Sequence, residues 1–146
     1  MKKITLTLIL GWAALQLGAA EAEWLTDLPK AQTQAKAEKK MVLMDFTGSD
    51  WCPPCKALHK NVLSSPEFAD FAKASLVLVE VDFPRRKQQS AQLKKANEAL
   101  SEKYQIEGYP TVIVLDSDGK QLSKEVAYDG SSAKAYVAKL QKLKKK

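Results

Sequence analysis

Hydrophobic and polar positions fall into blocks along this chain, and the period changes from block to block. Met41-Val42-Leu43-Met44-Asp45-Phe46 is a short, nearly continuous apolar run. That pattern predicts a strand buried on both faces, as in a parallel sheet. Leu76-Val77-Leu78-Val79-Glu80-Val81-Asp82 and Thr111-Val112-Ile113-Val114-Leu115 predict two more. Around them the period is helical. Trp24 to Lys40, rich in Ala, Lys, Gln and Glu with Pro29 near its start, predicts a modestly amphipathic helix. A second runs from about Cys52 to Leu63, and Ser65-Pro66-Glu67 restarts it with Ser as cap and Pro in the first turn. Phe68, Phe71 and Ala72 share one face there. Leu93, Ala96, Leu100 and Tyr104 recur at helical spacing and predict a helix from about Ser90 to Tyr104. Asp116-Ser117-Asp118-Gly119 is a turn signal. Gln121 to Val126 alternates weakly, as an antiparallel edge strand would, and Tyr136, Val137, Leu140 and Leu143 mark a last helix. The order α, β, α (interrupted), β, α, β, β, α predicts an α/β fold: a central mixed sheet of about four strands with helices on both faces.

Composition adds a domain count and a compartment. The 146 residues suffice for one domain with a real core. The first residues read as a secretory signal: Lys2 and Lys3, an apolar stretch from Ile4 to Leu17, then Ala20-Glu21-Ala22 as an A-x-A cleavage site. Cleavage is expected after Ala22, with Ala20 as the alternative and a retained membrane anchor as the competing reading. The apolar run falls short of the roughly 20 residues of a spanning helix. This divides the chain into a signal peptide, residues 1–22, and a single domain, residues 23–146. Export places the protein in the periplasm of a two-membrane bacterium, or outside the cell otherwise. Loss of Lys2, Lys3 and Glu21 lowers the net charge from +6 to +5. The surplus gathers at Arg85-Arg86-Lys87 and in the tail from Lys139 to Lys146. Such a tail is more often a solvated helix end than a nucleic-acid site, and an exported protein rarely meets nucleic acid, so none is expected as a partner.

The candidate chemistry lies in Trp51-Cys52-Pro53-Pro54-Cys55-Lys56, which holds both cysteines. A C-x-x-C on the first turn of a helix brings the two sulfurs to one side. Cys52 at the helix N-terminus meets unpaired N–H groups and the positive end of the dipole, which favour thiolate and make it the nucleophile. Cys55, one turn on, is the resolving thiol. Pro53 and Pro54 are tolerated in the first turn and stiffen it. Trp51 offers a flat apolar wall, Lys56 adds positive charge, and Asp50 works against it. A structural disulfide across so short a loop would stabilise little. Zinc calls for four ligands, and the chain has two Cys and one His. His59, one turn after Cys55, reads as a surface residue, with a Cys-Cys-His corner as the alternative. Covalent haem needs His where Lys56 stands. A redox pair without a cofactor is the reading that agrees with export and an α/β context.

Taken with Met44-Asp45-Phe46, Tyr104-Gln105-Ile106-Glu107-Gly108-Tyr109-Pro110-Thr111 and the Asp118-Gly119 turn, the Cys motif resembles the thioredoxin superfamily over roughly residues 36–143. Phe46-Thr47-Gly48-Ser49-Asp50-Trp51 is most similar to exported bacterial thioredoxin-like proteins, akin to the C-terminal reductase domain of the periplasmic thiol:disulfide interchange protein. The resemblance implies a thioredoxin-like fold and three further roles. Pro110 matches the family's cis-proline beside the Cys pair. Tyr109 would pair its backbone with an extended substrate segment. Asp45 matches a buried acid that moves the proton of the resolving Cys, with a raised pKa. Asp45 stands seven residues before Cys52, one more than in ordinary thioredoxin, and the stretch from Asp82 to Pro110 is longer than in minimal members. The extra part, Arg85 to Gln92, reads either as a determinant of partner choice or as an idle insertion. Pro54 replaces the His found there in strongly oxidising relatives, which implies a reductase or isomerase. The implied partners are protein thiols and disulfides and a membrane electron-donor protein, for a protein expected to act as a monomer. A binding or structural module with little turnover is the competing function.

Overall fold

The computed structural model describes residues 22–144; the signal-peptide reading of residues 1–22 lies, but for Ala22, outside them. The sheet is built outward from its central strand β2, Met41–Thr47, every residue of which is buried. β2 pairs in parallel with β3, Leu76–Asp82, and antiparallel with β4, Thr111–Leu115. The edge strand β5, Gln121–Val126, runs antiparallel to β4, with a register shift at Val114/Leu115. A fifth strand, β1, is only Trp24–Leu25 and pairs in parallel with β3. The order is β1-β3-β2-β4-β5, one strand more than the pattern of the sequence marks.

β1 also explains why the first helix is shorter than the Trp24–Lys40 expectation. α1 spans Leu28–Glu38: the Asp27 carboxylate accepts the Lys30 N–H at 2.9 Å, and Lys39 closes the helix in the left-handed region at φ 54°. A side-chain cap of this kind contributes about 1 kcal/mol. Leu28, Ala31 and Ala35 are its buried stripe. α2, Pro53–Leu58, runs on into a π-helical turn, His59–Leu63. α3, Pro66–Ser75, begins at Ser65, whose hydroxyl accepts the Phe68 N–H, and buries Phe68 and Ala72. α5, Ala133–Lys144, buries Ala133, Tyr136, Val137 and Leu140.

Alternation along the strands divides the core in two. Met41, Leu43, Leu76, Leu78, Val112 and Val114 face α2, α3 and α5. Val42, Met44, Phe46, Val77, Val79, Val81, Ile113 and Leu115 face α1, with Leu100 and Tyr104 packed against the same cluster. Those two belong to α4, Ala91–Lys103, and its cap. Here the expectation from periodicity needs correcting. Leu93 and Leu100 are only half-buried and Ala96 is exposed, while the buried residue of α4 is Asn97. Its amide donates to the Asp82 carbonyl at 2.9 Å, so a hydrogen bond seats this helix against the end of β3.

Candidate active site

The two cysteines lie just beyond the end of β2, where the chain turns into α2. Gly48 makes the turn: its carbonyl accepts the N–H groups of Trp51 and Cys52 at 3.2 and 2.9 Å. A Cβ at this position would stand 2.5 Å from Trp51 Cε2, so only glycine admits the indole here. Cys52 is the N-cap of α2 and its sulfur accepts the Cys55 N–H at 3.3 Å. The pair is joined as a disulfide with a Cα–Cα distance of 5.3 Å. Both residues are buried, Cys52 at 2% and Cys55 at 3% exposure. A partner must therefore reach the sulfurs along a narrow approach.

That approach has an aromatic wall. Trp51 donates from Nε1 to the Phe83 carbonyl at 2.8 Å. Tyr109 meets Trp51 edge to face at 5.9 Å between centroids and lies 5.2 Å from the Phe83 ring. The Tyr109–Pro110 peptide bond is cis; Pro110 is buried and its carbonyl accepts the Ala127 N–H at 2.9 Å. Thr111 Oγ1 donates to the Gly108 carbonyl at 2.8 Å and ties this turn to the start of β4. Trp51 and Tyr109, widely separated in sequence, are thus brought together at the Cys pair.

The basic loop after β3 is fastened to the same place. Asp50, expected to offset the positive charge around Cys52, has another use. Its carboxylate accepts the backbone N–H groups of Arg85, Arg86 and Lys87 at 3.0, 2.7 and 2.9 Å. These bonds, the Arg85 one foremost, hold its pKa down to about 2. The Arg85 guanidinium lies over the Trp51 ring, 3.7 Å from the centroid. Lys87 Nζ donates to Ser49 Oγ at 3.1 Å, and Lys56 Nζ to the Asp50 carbonyl at 3.1 Å. Ser49 in turn donates both N–H and hydroxyl to the Asp82 carboxylate.

On the neighbouring strands β2 and β3 lies a group of carboxylates. Asp45 is 6% exposed, on the sheet face that α2 covers, and one of its oxygens, Oδ1, has no hydrogen-bond partner. Burial, and after it the charges of Glu80 and Asp82, push its pKa up to about 7. Parallel register sets Asp45 directly beside Glu80, and Thr47 beside Asp82. Glu80 is half-buried, and burial, then Asp82, raises its pKa as well, with Lys87 and His59 opposing. His59 is exposed on the π-helical turn.

Comparison with known proteins fits this geometry. A family profile described as a thioredoxin-like domain matches residues 28–144. The chain belongs to the thioredoxin-like family. Its relatives within that family include Dsb proteins named as a disulfide bond reductase and as thiol:disulfide interchange proteins. The disulfide bond reductase DsbH of Chlamydia pneumoniae is 34% identical over 85% of this chain and 74% of its own length. The thioredoxin-related protein DsbJ of the same organism is 32% identical over 82% of the chain, which spans 36% of DsbJ. The thiol:disulfide interchange protein DsbD of Klebsiella pneumoniae is 29% identical over 80% of the chain and 18% of its own length. Among solved structures, a DsbH oxidoreductase superposes with a TM-score of 0.80 at 30% identity, covering 99% of this chain and 94% of that one. The oxidised C-terminal domain of Neisseria meningitidis DsbD shares the fold, with a TM-score of 0.59 at 21% identity, over 82% and 98% of the two chains.

Ser49, Glu80, Asp82, Phe83 and Asn97 take part in this arrangement, and the sequence reading gave none of them a role in the site. Glu80 and Asp82 carried a signal, because they continue the alternation of Leu76 and Leu78 and so fall on the same sheet face. Their neighbour across the strand, Asp45, depends on register, which the sequence does not display.

Proposed function

We propose that this protein is an exported thiol:disulfide oxidoreductase, acting as a reductase or isomerase on protein disulfides. The observation that carries the proposal is the Cys52 sulfur, which caps α2, accepts the Cys55 N–H and follows Trp51, the ring that Tyr109 meets edge to face. In the reduced protein that same N–H stabilises a Cys52 thiolate. The thiolate attacks one sulfur of a substrate disulfide. A Cys52–substrate disulfide forms and the other substrate sulfur leaves as thiolate. Cys55 then passes its proton to Asp45, with carboxylate pKa near 7 suited to that task, and attacks the Cys52 sulfur. The Cys52–Cys55 disulfide forms, and the second substrate thiolate leaves. Two electrons have moved from the pair to the substrate, and an external dithiol must return them.

Trp51 and Tyr109 are the substrate wall, with the Tyr109 backbone pairing to an extended segment and Pro110 closing the other side of the pair. The names of DsbH and DsbD support reduction and interchange of disulfides; a membrane protein as electron donor is part of the proposal. Export rests on the signal-peptide reading of residues 1–22, with residues 23–146 as a monomeric domain. Among the described residues no helix is long and apolar enough to cross a membrane.

Insulin reduction by wild type, Cys52→Ser and Cys55→Ser tests the proposal. Wild type turns insulin over, and both variants lose turnover. Equal inactivity of wild type and Cys52→Ser would favour a binding module. The reduction potential tests the direction: a value near that of the strongest known oxidant, about −120 mV, would overturn the reductase assignment.

A further inference from the structure

The loop after β3 presents a charged surface that disulfide exchange does not itself require. Arg85, Arg86 and Lys87 are exposed, and so is Lys56 on the first turn of α2. The salt bridges among the described residues are Lys36–Asp118, Lys40–Glu38 and Lys139–Asp129. None of them engages these four cations. The carboxylate that does touch the loop, Asp50, is turned onto its backbone N–H groups. It fixes the loop by its main chain, while the side chains stay exposed: Arg85 lies on Trp51, Lys87 reaches Ser49 Oγ and Lys56 the Asp50 carbonyl, neutral partners that leave the positive charges uncancelled. Further bonds pin the loop at its ends: Phe83 N–H to the Thr47 carbonyl at 2.9 Å, and Gln89 Nε2 to the Asp82 carbonyl at 3.2 Å. A surface held this way loses little conformational freedom on binding. Its place is set by the Arg85 guanidinium on Trp51, the residue next to Cys52. A partner that reaches the sulfur passes this edge.

We propose that Arg85, Arg86, Lys87 and Lys56 form a docking edge for client segments whose reacting disulfide is flanked by Asp or Glu. The inference deepens the proposed function and rests on it. Fixed cations beside a reaction site raise the encounter rate of acidic partners and discriminate against basic ones, and salt weakens both effects. An extended client segment seated against Tyr109 carries side chains out on alternate sides. Acidic residues near its cysteine would then face the loop.

The test uses the reduced full chain and three synthetic disulfide peptides that differ only in flanking residues: Glu, Ser or Lys. Oxidation of Cys52 and Cys55 is followed by stopped-flow Trp fluorescence at low and high salt. The Glu peptide should react on the order of tenfold faster than the Lys peptide at low salt, and the ratio should approach one at high salt. Arg86→Ser/Lys87→Ser keeps the backbone donors that Asp50 binds, and should cut the low-salt ratio at least threefold. Arg86→Glu/Lys87→Glu should invert the preference, an outcome that loss of folding cannot imitate. Equal rates for the three peptides, or a ratio that none of these substitutions moves, would overturn the docking edge while leaving disulfide reduction standing. Failure to reduce even the Ser peptide would remove the proposed function and the docking edge together.

Discussion

Asp45→Asn should change how stability depends on pH, by an amount the structure sets. Asp45 is buried and its pKa rises from 3.8 to about 7, burial being the main cause. Between those values the folded protein keeps a proton that the unfolded chain has released. The folded state binds more protons in this window, so stability falls as pH rises through it and levels off above about 7. Each pKa unit corresponds to about 1.4 kcal/mol. From pH 5 to pH 8 wild type should therefore lose about 3 kcal/mol through this one group. Asn has nearly the same shape and no ionisation. It carries a roughly constant penalty for burying an amide, of about 1–3 kcal/mol, because Oδ1 has no partner in the fold and the NH2 group would inherit that setting. The useful quantity is the difference between variant and wild type, in which the constant penalty cancels when two pH values are compared. Guanidinium unfolding of the oxidised proteins at pH 5 and pH 8 measures it, with the cysteines kept from titrating. The variant should gain about 3 kcal/mol on wild type across the interval. A difference that stays constant within about 0.5 kcal/mol would refute the claim that Asp45 is buried without a compensating partner.

Other expectations follow from the same contacts. Glu80→Gln removes the like charge beside Asp45 in register, so the Asp45 titration observed by carboxyl-carbon NMR should move below about 7; an unmoved midpoint would contradict any contribution from Glu80. Gly48→Ala puts a methyl group within 2.5 Å of the Trp51 ring. Overpacking of this kind costs about 1–3 kcal/mol, and it should also alter Trp51 emission and slow disulfide exchange, whereas unchanged emission and melting would contradict the close approach. Asp50→Ala frees three backbone donors, so amide exchange at Arg85, Arg86 and Lys87 should quicken. In wild type the same amides should stay protected as pH falls past the ordinary carboxylate range, and lose protection only near the Asp50 pKa of about 2.

The central strands were legible because β2, β3 and β4 carry almost unbroken apolar runs, and a strand with both faces covered has no other way to look. β1 was not, because Trp24 and Leu25 are two residues at the head of a run rich in Ala and Lys, and what makes them a strand is the free edge of β3. The apolar stripe of α4 was legible as a helix but misled about its depth. Asn97 is the buried residue there, and its reason is a carbonyl 15 positions earlier in the chain. At the site, the spacing of Cys52 and Cys55 announced itself, and the family resemblance pointed to a cis bond before Pro110, which the structure has. The anchoring of the basic loop could not, since Asp50 binds main-chain groups that any residue offers, 35 to 37 positions away. The extra stretch 85–92 was therefore left open between a determinant of partner choice and an idle insertion, and its first residue, Arg85, lies on the Trp51 ring.

The central claim is that Cys52 attacks and Cys55 resolves. It is tested most directly by mass spectrometry of the adducts formed when the single-cysteine proteins meet a disulfide substrate. Cys55→Ser should accumulate a stable mixed disulfide on Cys52, because nothing remains to resolve it. Cys52→Ser should form little or none, because the thiolate-stabilising position is the N-cap of α2, held by the sulfur that accepts the Cys55 N–H, and Cys55 lies within the helix beyond it. Adducts forming at equal rates on both proteins, or only through Cys55, would contradict the assignment.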